Sequence, residues 1–304
     1  MTNTNELLNR INRRYGSMSK GYKRLAIYIT DNYDKAVFLT AAKLGEVVGV
    51  SESTVVRFAS SLGYKGYPQF QDALEEMVKN KLSSVQRMEV SYERVSQSDI
   101  LENVLKADQE KIKHTLEHID QKAFNQAVHT ILNARHVYVI GIRSCAPLAS
   151  FLSFYLNMIV DDCILISTSS SSEIFEQMIK IGPDDVIIGI SFPRYSIRTL
   201  KALEFASNRN AHIITLTDSV HSPMNIYSSC NLIADSDMAS IADSLVAPLS
   251  VINALIMALC MERGDAVSNR LIELESIWED YQVYERDEIE FLDESARMHF
   301  NDVN

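Results

Sequence analysis

The sequence predicts an all-α domain joined to an α/β domain. Up to about residue 80 the apolar residues recur at helical spacing, whereas after residue 136 short β-branched runs alternate with helical segments. The charge changes as well: residues 1–80 carry 11 Lys and Arg against 8 Asp and Glu, and the rest carries 18 against 32. A mildly basic N-terminal segment followed by an acidic remainder is typical of a small DNA-binding domain joined to a second domain. We therefore divide the chain into a helical domain (1–80), a linker (81–98) and an α/β domain (99–304).

The helical domain contains the stretch AAKLGEVVGVSESTVVRFAS, residues 41–60, which predicts a helix-turn-helix. A short first helix is followed by a turn at Gly49, and Ser51 caps a second helix that ends near Gly63. Gly45 lies where two crossing helices need a small residue, although glycine costs a helix about 1 kcal/mol relative to alanine. Two more amphipathic helices are expected before this motif and one after it.

The outer face of the second helix is polar, and such a helix can lie in the major groove of double-stranded DNA with its N-terminal side chains on base edges. An ordinary pair of buried helices with a polar outer face would show the same pattern. The residues that we expect to contact DNA are Ser51, Glu52, Ser53, Thr54, Arg57, Ser60 and Lys65.

The α/β domain begins with an amphipathic helix over residues 100–119, on which Leu101, Val104, Leu105, Ile112 and Leu116 share one stripe. Strands are predicted at 136–142, 164–167, 186–191, 212–217 and 231–234, with helices at 147–159, 172–181, 197–208 and 239–262. This alternation predicts a parallel sheet covered by helices on both faces.

Two further segments of the α/β domain need separate interpretation. The apolar run 244–261 contains a proline and several polar residues, so we interpret it as a core helix and not a membrane span. Residues 265–304 carry 12 Asp and Glu against 3 Arg, which predicts an acidic, solvated C-terminal helix. Its charge repels DNA, so we expect it to lie away from the duplex.

Three loops that follow predicted strands, at residues 141–145, 167–172 and 191–196, are crowded with hydroxyl groups. Ligands of open α/β sheets bind beyond the carboxyl ends of the strands, and hydroxyls with helix N-terminal N–H groups hold phosphate. Serine also caps helices, so one such loop would mean little, but three at one edge predict a phosphate pocket. The residues expected to line it are Arg143, Ser144, Cys145, Ser169, Ser170, Ser191, Arg194 and Ser196.

The chain resembles RpiR-type bacterial transcriptional regulators, in which a helix-turn-helix domain precedes a sugar isomerase (SIS) domain. The resemblance covers nearly the whole length. It is carried by VSESTVVRFASSLGYKGYPQF (50–70), GIRSCAPLA (141–149), GISFPRYSIRTLKALEFA (189–206) and ITLTDSVHSPM (214–224). It implies a flavodoxin-like parallel sheet, a sugar phosphate effector, and a homodimer or homotetramer that grips a palindromic operator and regulates genes of sugar metabolism.

The sequence departs from the family pattern at the expected phosphate site. Family members commonly have serine where Cys145 stands, and the S-x-S-G-x-T loop of SIS proteins reads SFPRYS here. Pro193 therefore replaces a serine and Arg194 replaces a glycine. A hydroxyl and an N–H donor are lost and a guanidinium is gained, so the phosphate is expected to shift toward Arg194 and the loop at residues 167–172, or the ligand differs from a standard sugar phosphate.

SIS domains also occur in isomerases, so a phosphosugar isomerase is the first alternative, and a SIS-based dimerisation module without specific DNA binding is the second. Isomerisation needs a general base and usually a ring-opening acid. His136 and His212 begin strands at the end opposite the pocket, His221 alone follows a strand, and no base–acid pair stands out. We therefore expect no catalytic residues.

The remaining expectations concern cofactors and compartment. The four cysteines lack C-x-x-C spacing, so neither a metal site nor another cofactor is expected. Free thiols suggest a reducing compartment, and the N-terminus lacks the apolar core of a signal peptide. Together these features predict a cytoplasmic protein without a membrane partner.

Overall fold

The computed structural model describes residues 6–37, 39–79, 85, 99–168, 170–228, 230–236 and 242–284. Ser169, nearly all of the predicted linker and the acidic stretch after Tyr284 lie outside the described residues.

The N-terminal part is entirely helical in its described residues. Its helices are α1 (Glu6–Tyr15), α2 (Lys20–Asp31), α3 (Tyr33–Ala36), α4 (Ala41–Val48), α5 (Glu52–Ser61) and α6 (Tyr67–Lys79). Phe58 of α5 is completely buried at their centre and makes edge-to-face contacts with Tyr22 and Phe70, with ring centroids 5.6 and 5.9 Å apart. Such aromatic pairs add stability beyond their buried area.

The α/β part follows with two helices and then alternates. Its elements are α7 (Ile100–His118), α8 (Gln121–Leu132), β1 (Val137–Gly141), α9 (Ala146–Ile159), β2 (Cys163–Ile166), α10 (Ser171–Gln177), β3 (Val186–Ile190), α11 (Ile197–Asn208), β4 (His212–Thr217), β5 (Cys230–Ile233), α12 (Val246–Glu262) and α13 (Gly264–Asp280). Short 3-10 turns cover Arg143–Cys145 and Pro223–Ile226.

The five strands form one parallel sheet in the order β2-β1-β3-β4-β5. This is the flavodoxin-like order, and it confirms the predicted fold class. Successive side chains of a strand point to opposite sides of the sheet, and the central strands β1, β3 and β4 are buried on both faces apart from the exposed first residue of β4. Val139 and Ile188 pack with α8, α9 and α12, whereas Tyr138 and Ile187 pack with α10 and α11.

Helix α12 begins at Val246, later than the predicted start at residue 239; residues 237–241 lie outside the described part of the chain. Pro248 stands in its first turn, where the missing N–H does no harm. Val251, Ile252 and Leu255 of this helix join the sheet core, as expected for a core helix. Among the described residues no single helix is long and apolar enough to span a membrane; α12 and α13 satisfy that test only together, bent by 100°.

The strand order determines where a ligand site is expected. The chain leaves β1 toward β2 on one side, while β3 lies on the other side of β1. Connections that diverge in this way open a crevice beyond the carboxyl ends of β1 and β3. The loops at residues 141–145 and 191–196 begin at these two strand ends.

Candidate functional site

Helices α4 and α5 form the predicted helix-turn-helix. Gly49 between them has φ +72°, a left-handed conformation that favours glycine, and Gly63 after α5 has φ +94°. Ser51 caps α5 by accepting a hydrogen bond from the Thr54 backbone N–H at 3.3 Å. A Cβ on Gly45 would lie 2.8 Å from the Val50 carbonyl oxygen, so the close approach at the turn requires glycine.

The two faces of α5 differ as predicted. Val55 and Phe58 are buried in the helical core, while Ser53, Arg57 and Ser60 are exposed. The predicted DNA-contacting residues are exposed apart from the half-buried Thr54; those exposed are Ser51, Glu52, Ser53, Arg57, Ser60 and Lys65. The structure therefore exposes these polar side chains on one side of the motif, with Val56 also exposed among them, and such a face is suited to a groove of DNA.

Arg24 was not anticipated from the sequence. It is exposed on α2 and donates a hydrogen bond to the Gly49 carbonyl oxygen at 3.0 Å, so it braces the turn between α4 and α5. Arg24 lies far from the motif along the chain, and nothing in the local pattern of residues 41–60 could have indicated the contact. Helix packing alone brings its positive charge to this surface.

The loop after β1 turns sharply at Gly141. A Cβ at this position would lie 2.6 Å from the Cys145 carbonyl oxygen, so only glycine lets the chain fold back onto the strand end. Arg143 in this loop has φ +61°, a strained conformation for a residue with a side chain. Arg143 and Ser144 are exposed, whereas Cys145 is only 4% exposed.

The loop after β3 is closed by its own serines. The Ser196 backbone N–H donates to Ser191 Oγ at 3.2 Å, and Ser196 Oγ caps α11 by accepting from the Thr199 N–H at 3.4 Å. Ser191 is buried, Ser196 is half-buried and Arg194 is exposed. Helix α11 therefore begins at this loop, where the first N–H groups of a helix have no carbonyl partners within the helix.

The structure brings the loops after β1 and β3 together at Cys145. Its thiol lies within hydrogen-bonding reach of the Phe192 backbone and the Ser144 hydroxyl. Burial raises the pKa of Cys145 to about 11, since it disfavours the thiolate more than these hydrogen bonds favour it. A neutral, buried thiol joins the two loops here and holds Ser144 beside the β3 loop.

The third predicted loop lies on the other side of β1. The Ser170 backbone N–H donates to Thr168 Oγ1 at 3.0 Å, and the Thr168 hydroxyl donates to the Glu173 carboxylate. Ser170 is half-buried, and Ser169 lies outside the described residues. This loop contributes a carboxylate as well as hydroxyls, which the loops after β1 and β3 do not.

A hydrogen-bonded cluster at the end of β4 also was not singled out from the sequence. The Tyr195 hydroxyl donates to the nearly buried Asp218 carboxylate at 2.7 Å, and the Thr217 hydroxyl donates to Ser222 Oγ at 3.0 Å. Burial raises the pKa of Tyr195 above its usual range, and the negative charge of Asp218 adds to the rise. Only the sheet order shows that Tyr195 meets Asp218, because the two residues come from separate loops.

The histidines lie as predicted from their places relative to the strands. His136 lies at the amino-terminal edge of the sheet, where its Nδ1 is 2.8 Å from Asp185 Oδ1, and His212 begins β4. His221 is exposed after β4. Within the described ranges, no group of three or more His, Cys, Asp or Glu side chains is arranged to hold a metal ion.

Comparison with known families identifies the two domains that carry these residues. The profile of the helix-turn-helix domain of the rpiR family matches residues 5–81, and the profile of the SIS domain matches residues 130–258. The chain belongs to the RpiR family of helix-turn-helix proteins with a SIS domain. This confirms the resemblance drawn from the sequence motifs.

RpiR-family relatives match over most of their length. The chain is 26% identical over 215 residues to an HTH-type transcriptional regulator of Clostridium perfringens, covering 70% of this chain and 76% of the relative. It is 25% identical over 271 residues to the HTH-type transcriptional regulator HexR of Escherichia coli, covering 85% and 89%.

Two solved structures share the fold of this RpiR-family chain. The sugar isomerase domain of an RpiR transcription factor from Sphaerobacter thermophilus has a TM-score of 0.56 and 27% identity, covering 59% of this chain and 99% of that one. NanR of Vibrio vulnificus, solved in complex with ManNAc-6P, has a TM-score of 0.56 and 21% identity, covering 90% and 98%.

The altered SIS loop of this RpiR-family chain keeps the backbone that its lost glycine would favour. Arg194 has φ +64°, a left-handed conformation, although its side chain makes that conformation costly. Arg194 therefore places an exposed guanidinium on this loop, in a backbone conformation that glycine adopts freely. Pro193 beside it is buried.

Proposed function

We propose that this RpiR-family protein is a DNA-binding transcriptional regulator of sugar metabolism genes that a sugar phosphate controls. Residues 1–80 would bind a palindromic operator, residues 81–98 would link the domains, and residues 99–304 would bind the effector and form a homodimer or homotetramer. The proposal depends on finding two features in one chain. Helix α5 exposes a polar face, and the loops after β1 and β3 of the SIS sheet meet at Cys145. The relatives support it, since they are named transcriptional regulators, and NanR was solved with a sugar phosphate.

The effector pocket would work through charge and hydrogen bonding. The phosphate oxygens would accept from the exposed Ser144 hydroxyl, from the N–H groups that begin α11, and from the Arg143 and Arg194 guanidiniums. Cys145 and Ser191 are buried, so their part would be to hold the loops in place, with the Ser191 O–H still able to donate to a bound oxygen. Ser169, Ser170 and Ser196 would complete the pocket from its sides.

Regulation requires that the effector bind two states of the dimer unequally. Two copies of α5 would lie in successive major grooves about 34 Å apart. The effector can change that arrangement only by as much as its affinity differs between the two arrangements. The linker and α7 connect the pocket-bearing domain to the DNA-binding domain and would carry the change. Such a protein acts where the DNA is, so we place it in the cytoplasm.

We propose that the domain has no catalytic activity. Two of its seven histidines lie at the amino-terminal edge of the strands, away from the pocket. The carboxylate of Glu173 is hydrogen-bonded to Thr168 and more readily orients sugar hydroxyls than abstracts a proton. Incubation with each sugar phosphate, followed by NMR of the mixture, tests this: formation of an isomer at a rate proportional to protein concentration would favour the isomerase.

The regulator proposal is tested with the purified full chain. Selection of bound genomic fragments should yield a palindromic site, and a panel of sugar phosphates should contain at least one that raises the melting temperature and changes operator affinity. Failure to enrich any DNA sequence would leave only the dimerisation module.

Ser191→Ala tests the location of the pocket. A buried hydrogen bond to a charged group contributes about 1.5–3 kcal/mol, so effector binding should weaken about tenfold or more while operator affinity without effector stays unchanged. Ser150→Ala, on the exposed side of α9, is the matched control. Normal effector binding by Ser191→Ala, measured by calorimetry, would place the pocket elsewhere.

A further inference from the structure

Four of the five apolar residues predicted on one side of α7 form a stripe exposed to solvent, namely Leu101, Leu105, Ile112 and Leu116. Their side chains are 74%, 59%, 39% and 76% exposed. The fifth, Val104, is 47% exposed and shares a row of the helix with Asp108, Lys111 and Thr115, next to the stripe and not within it. A patch of this kind on a surface helix usually marks an interaction site, because isolated domains rarely leave several large aliphatic side chains in a row uncovered.

One flank of this stripe attaches α7 to its own domain by polar contacts. The Ser244 hydroxyl donates to Asp108 Oδ1 at 2.6 Å, and the Asp235 backbone N–H donates to Thr115 Oγ1 at 2.9 Å. Lys111, on the same flank, is paired with Asp108 at 3.5 Å. The helix is therefore fixed in position, and the stripe faces outward as a rigid surface.

The spacing of the stripe is the same in both directions along the helix. Its members are separated by four, seven and four residues, so a reversed copy places Leu101 opposite Leu116 and Leu105 opposite Ile112. Self-complementarity of this kind is what a two-fold interface requires, since the same patch serves both subunits.

The polar residues along the free flank of the stripe are compatible with the same reversal. Glu102 approaches Lys113 of the second copy, so the two-fold axis creates two such pairs of opposite charge. Lys106 approaches Gln109 of the second copy, whose amide oxygen can accept a hydrogen bond from the ammonium group. The antiparallel arrangement also brings Lys106 of one copy near Lys113 of the other. Glu102 forms an ion pair with Lys106 on its own helix, so its carboxylate lies between these two ammonium groups.

The same flank argues against a lipid surface as the occupant of the stripe. It carries carboxylates as well as ammonium groups, and Lys113 is paired with Glu110 on α7 itself at 3.9 Å. An amphipathic helix that lies on a membrane is instead rich in lysine and arginine on its polar face. A second copy of this chain therefore fits the flank better than a bilayer does.

We infer that two copies of this chain pair antiparallel along α7, with the two-fold axis passing between Asp108 and Gln109. The inference rests on the homodimer of the proposed function and names its interface. At a rise of 1.5 Å per residue, the two Ile100 residues then lie about 26 Å apart along the helix pair. The segments that lead to the DNA-binding domains leave from these points. Residues 81–98 separate these points from the DNA-binding domains, and a chain of that length can reach from them to half-sites about 34 Å apart.

The first test measures the mass of the full chain by light scattering at micromolar concentration. The unmodified chain should have the mass of two chains or of a larger even number. Leu105→Glu should halve that mass, whereas Ile179→Glu, which replaces an equally exposed residue (57%) outside α7, should not. Both variants should keep the melting temperature of the domain core, because both positions are exposed.

The second test is cross-linking with a short thiol reagent. The two copies of Gln109 lie next to the proposed axis and are exposed in the single chain, so Gln109→Cys should form a covalent dimer. The copies of Glu117 would be about 26 Å apart at the helical rise, so Glu117→Cys should not exceed the background of the unmodified chain. A monomeric unmodified chain would overturn both the homodimer and its interface. An unmodified dimer that persists in Leu105→Glu, or that fails to cross-link at Gln109→Cys, would overturn the interface alone.

Discussion

The Tyr195 hydroxyl donates to Asp218 Oδ1 at 2.7 Å and joins the loop after β3 to the end of β4. On its other side the same loop meets Cys145 through the Phe192 backbone. The SFPRYS loop is thus held from both neighbouring strands before any ligand arrives. Preorganisation of this kind lowers the entropy that a ligand would otherwise lose by ordering the loop.

Tyr195→Phe should lower the free energy of unfolding by about 1.5–3 kcal/mol, because a buried hydrogen bond to a carboxylate is lost. The effect should depend on pH. The raised pKa of Tyr195 means that the bond contributes fully below the phenol's usual pKa near 10 and is lost as the pH rises above it. Denaturant titrations at pH 7 and pH 10.5 would measure both effects, and a variant as stable as the unmodified chain would contradict them. Tyr227→Phe, at a half-buried phenol, is the control.

The fold could be predicted from the sequence because hydrophobic periodicity differs between helices and strands, and strand–helix alternation permits few topologies. The helix-turn-helix was predicted for the same reason, with Gly49 in the turn and Gly63 in the left-handed conformation expected of it. The Tyr195–Asp218 bond and the Arg24 brace could not be predicted, since each joins segments that only tertiary packing brings together. The exposure of the α7 stripe was also inaccessible, because spacing shows that residues share a face but not what covers it.

Gly45→Ala should destabilise the DNA-binding domain although alanine is the better helix former by about 1 kcal/mol. The added Cβ would lie 2.8 Å from the Val50 carbonyl oxygen, a backbone atom that cannot turn aside, so α4 or the turn must shift. Gly21→Ala in α2 is the matched control, because its Cβ meets only side-chain atoms at 3.5 and 3.6 Å. It should be neutral or raise the melting temperature. If Gly45→Ala also raises the melting temperature, the close approach is not a constraint in solution.

Arg57→Ala should weaken operator binding by about 1–3 kcal/mol and leave the melting temperature unchanged, because Arg57 is exposed on α5 and base contacts contribute on this scale. Phe58→Ala should instead lower the free energy of unfolding, by about 3–5 kcal/mol, because it leaves a cavity at the centre of the helical core. Binding titrations paired with thermal unfolding separate the two effects. Unchanged operator binding by Arg57→Ala would show that Arg57 does not read DNA.

Arg194→Gly should separate effector affinity from stability. Relief of the left-handed backbone offsets the loss of the arginine side chain, so the free energy of unfolding should change by less than about 1 kcal/mol. Effector affinity should fall about tenfold or more if the guanidinium holds the phosphate. Asn210→Gly relieves a similar conformation, φ +59°, away from the pocket and should leave effector affinity unchanged. Equal affinities in both variants would place Arg194 on the rim only.

Asp185 is the site of the last prediction, at the edge of the sheet opposite the pocket. Its completely buried carboxylate accepts hydrogen bonds from Arg135 at 2.8 and 3.0 Å, from His136 at 2.8 Å and from the Gly182 backbone N–H at 2.7 Å. Burial alone would raise the pKa of Asp185, but these donors outweigh it and hold that pKa below its ordinary value of 3.8. The carboxylate therefore stabilises the fold above that pH, and the contribution is lost as the pH falls below it.

Asp185→Asn should lower the free energy of unfolding at pH 7 by about 1.5–3 kcal/mol, because hydrogen bonds to a buried carboxylate are lost, while Arg135 is exposed and keeps its hydration. Between pH 5 and pH 3 the free energy of unfolding should fall less steeply for Asp185→Asn than for the unmodified chain. Asp162→Asn removes the half-exposed carboxylate 3.4 Å from His136 and should cost less than about 1 kcal/mol. Effector affinity should stay unchanged in both, since the cluster lies at the far edge of the sheet. Denaturant titrations from pH 3 to pH 7 measure the difference, and parallel pH profiles for Asp185→Asn and the unmodified chain would show that the carboxylate is not the group whose protonation weakens the fold.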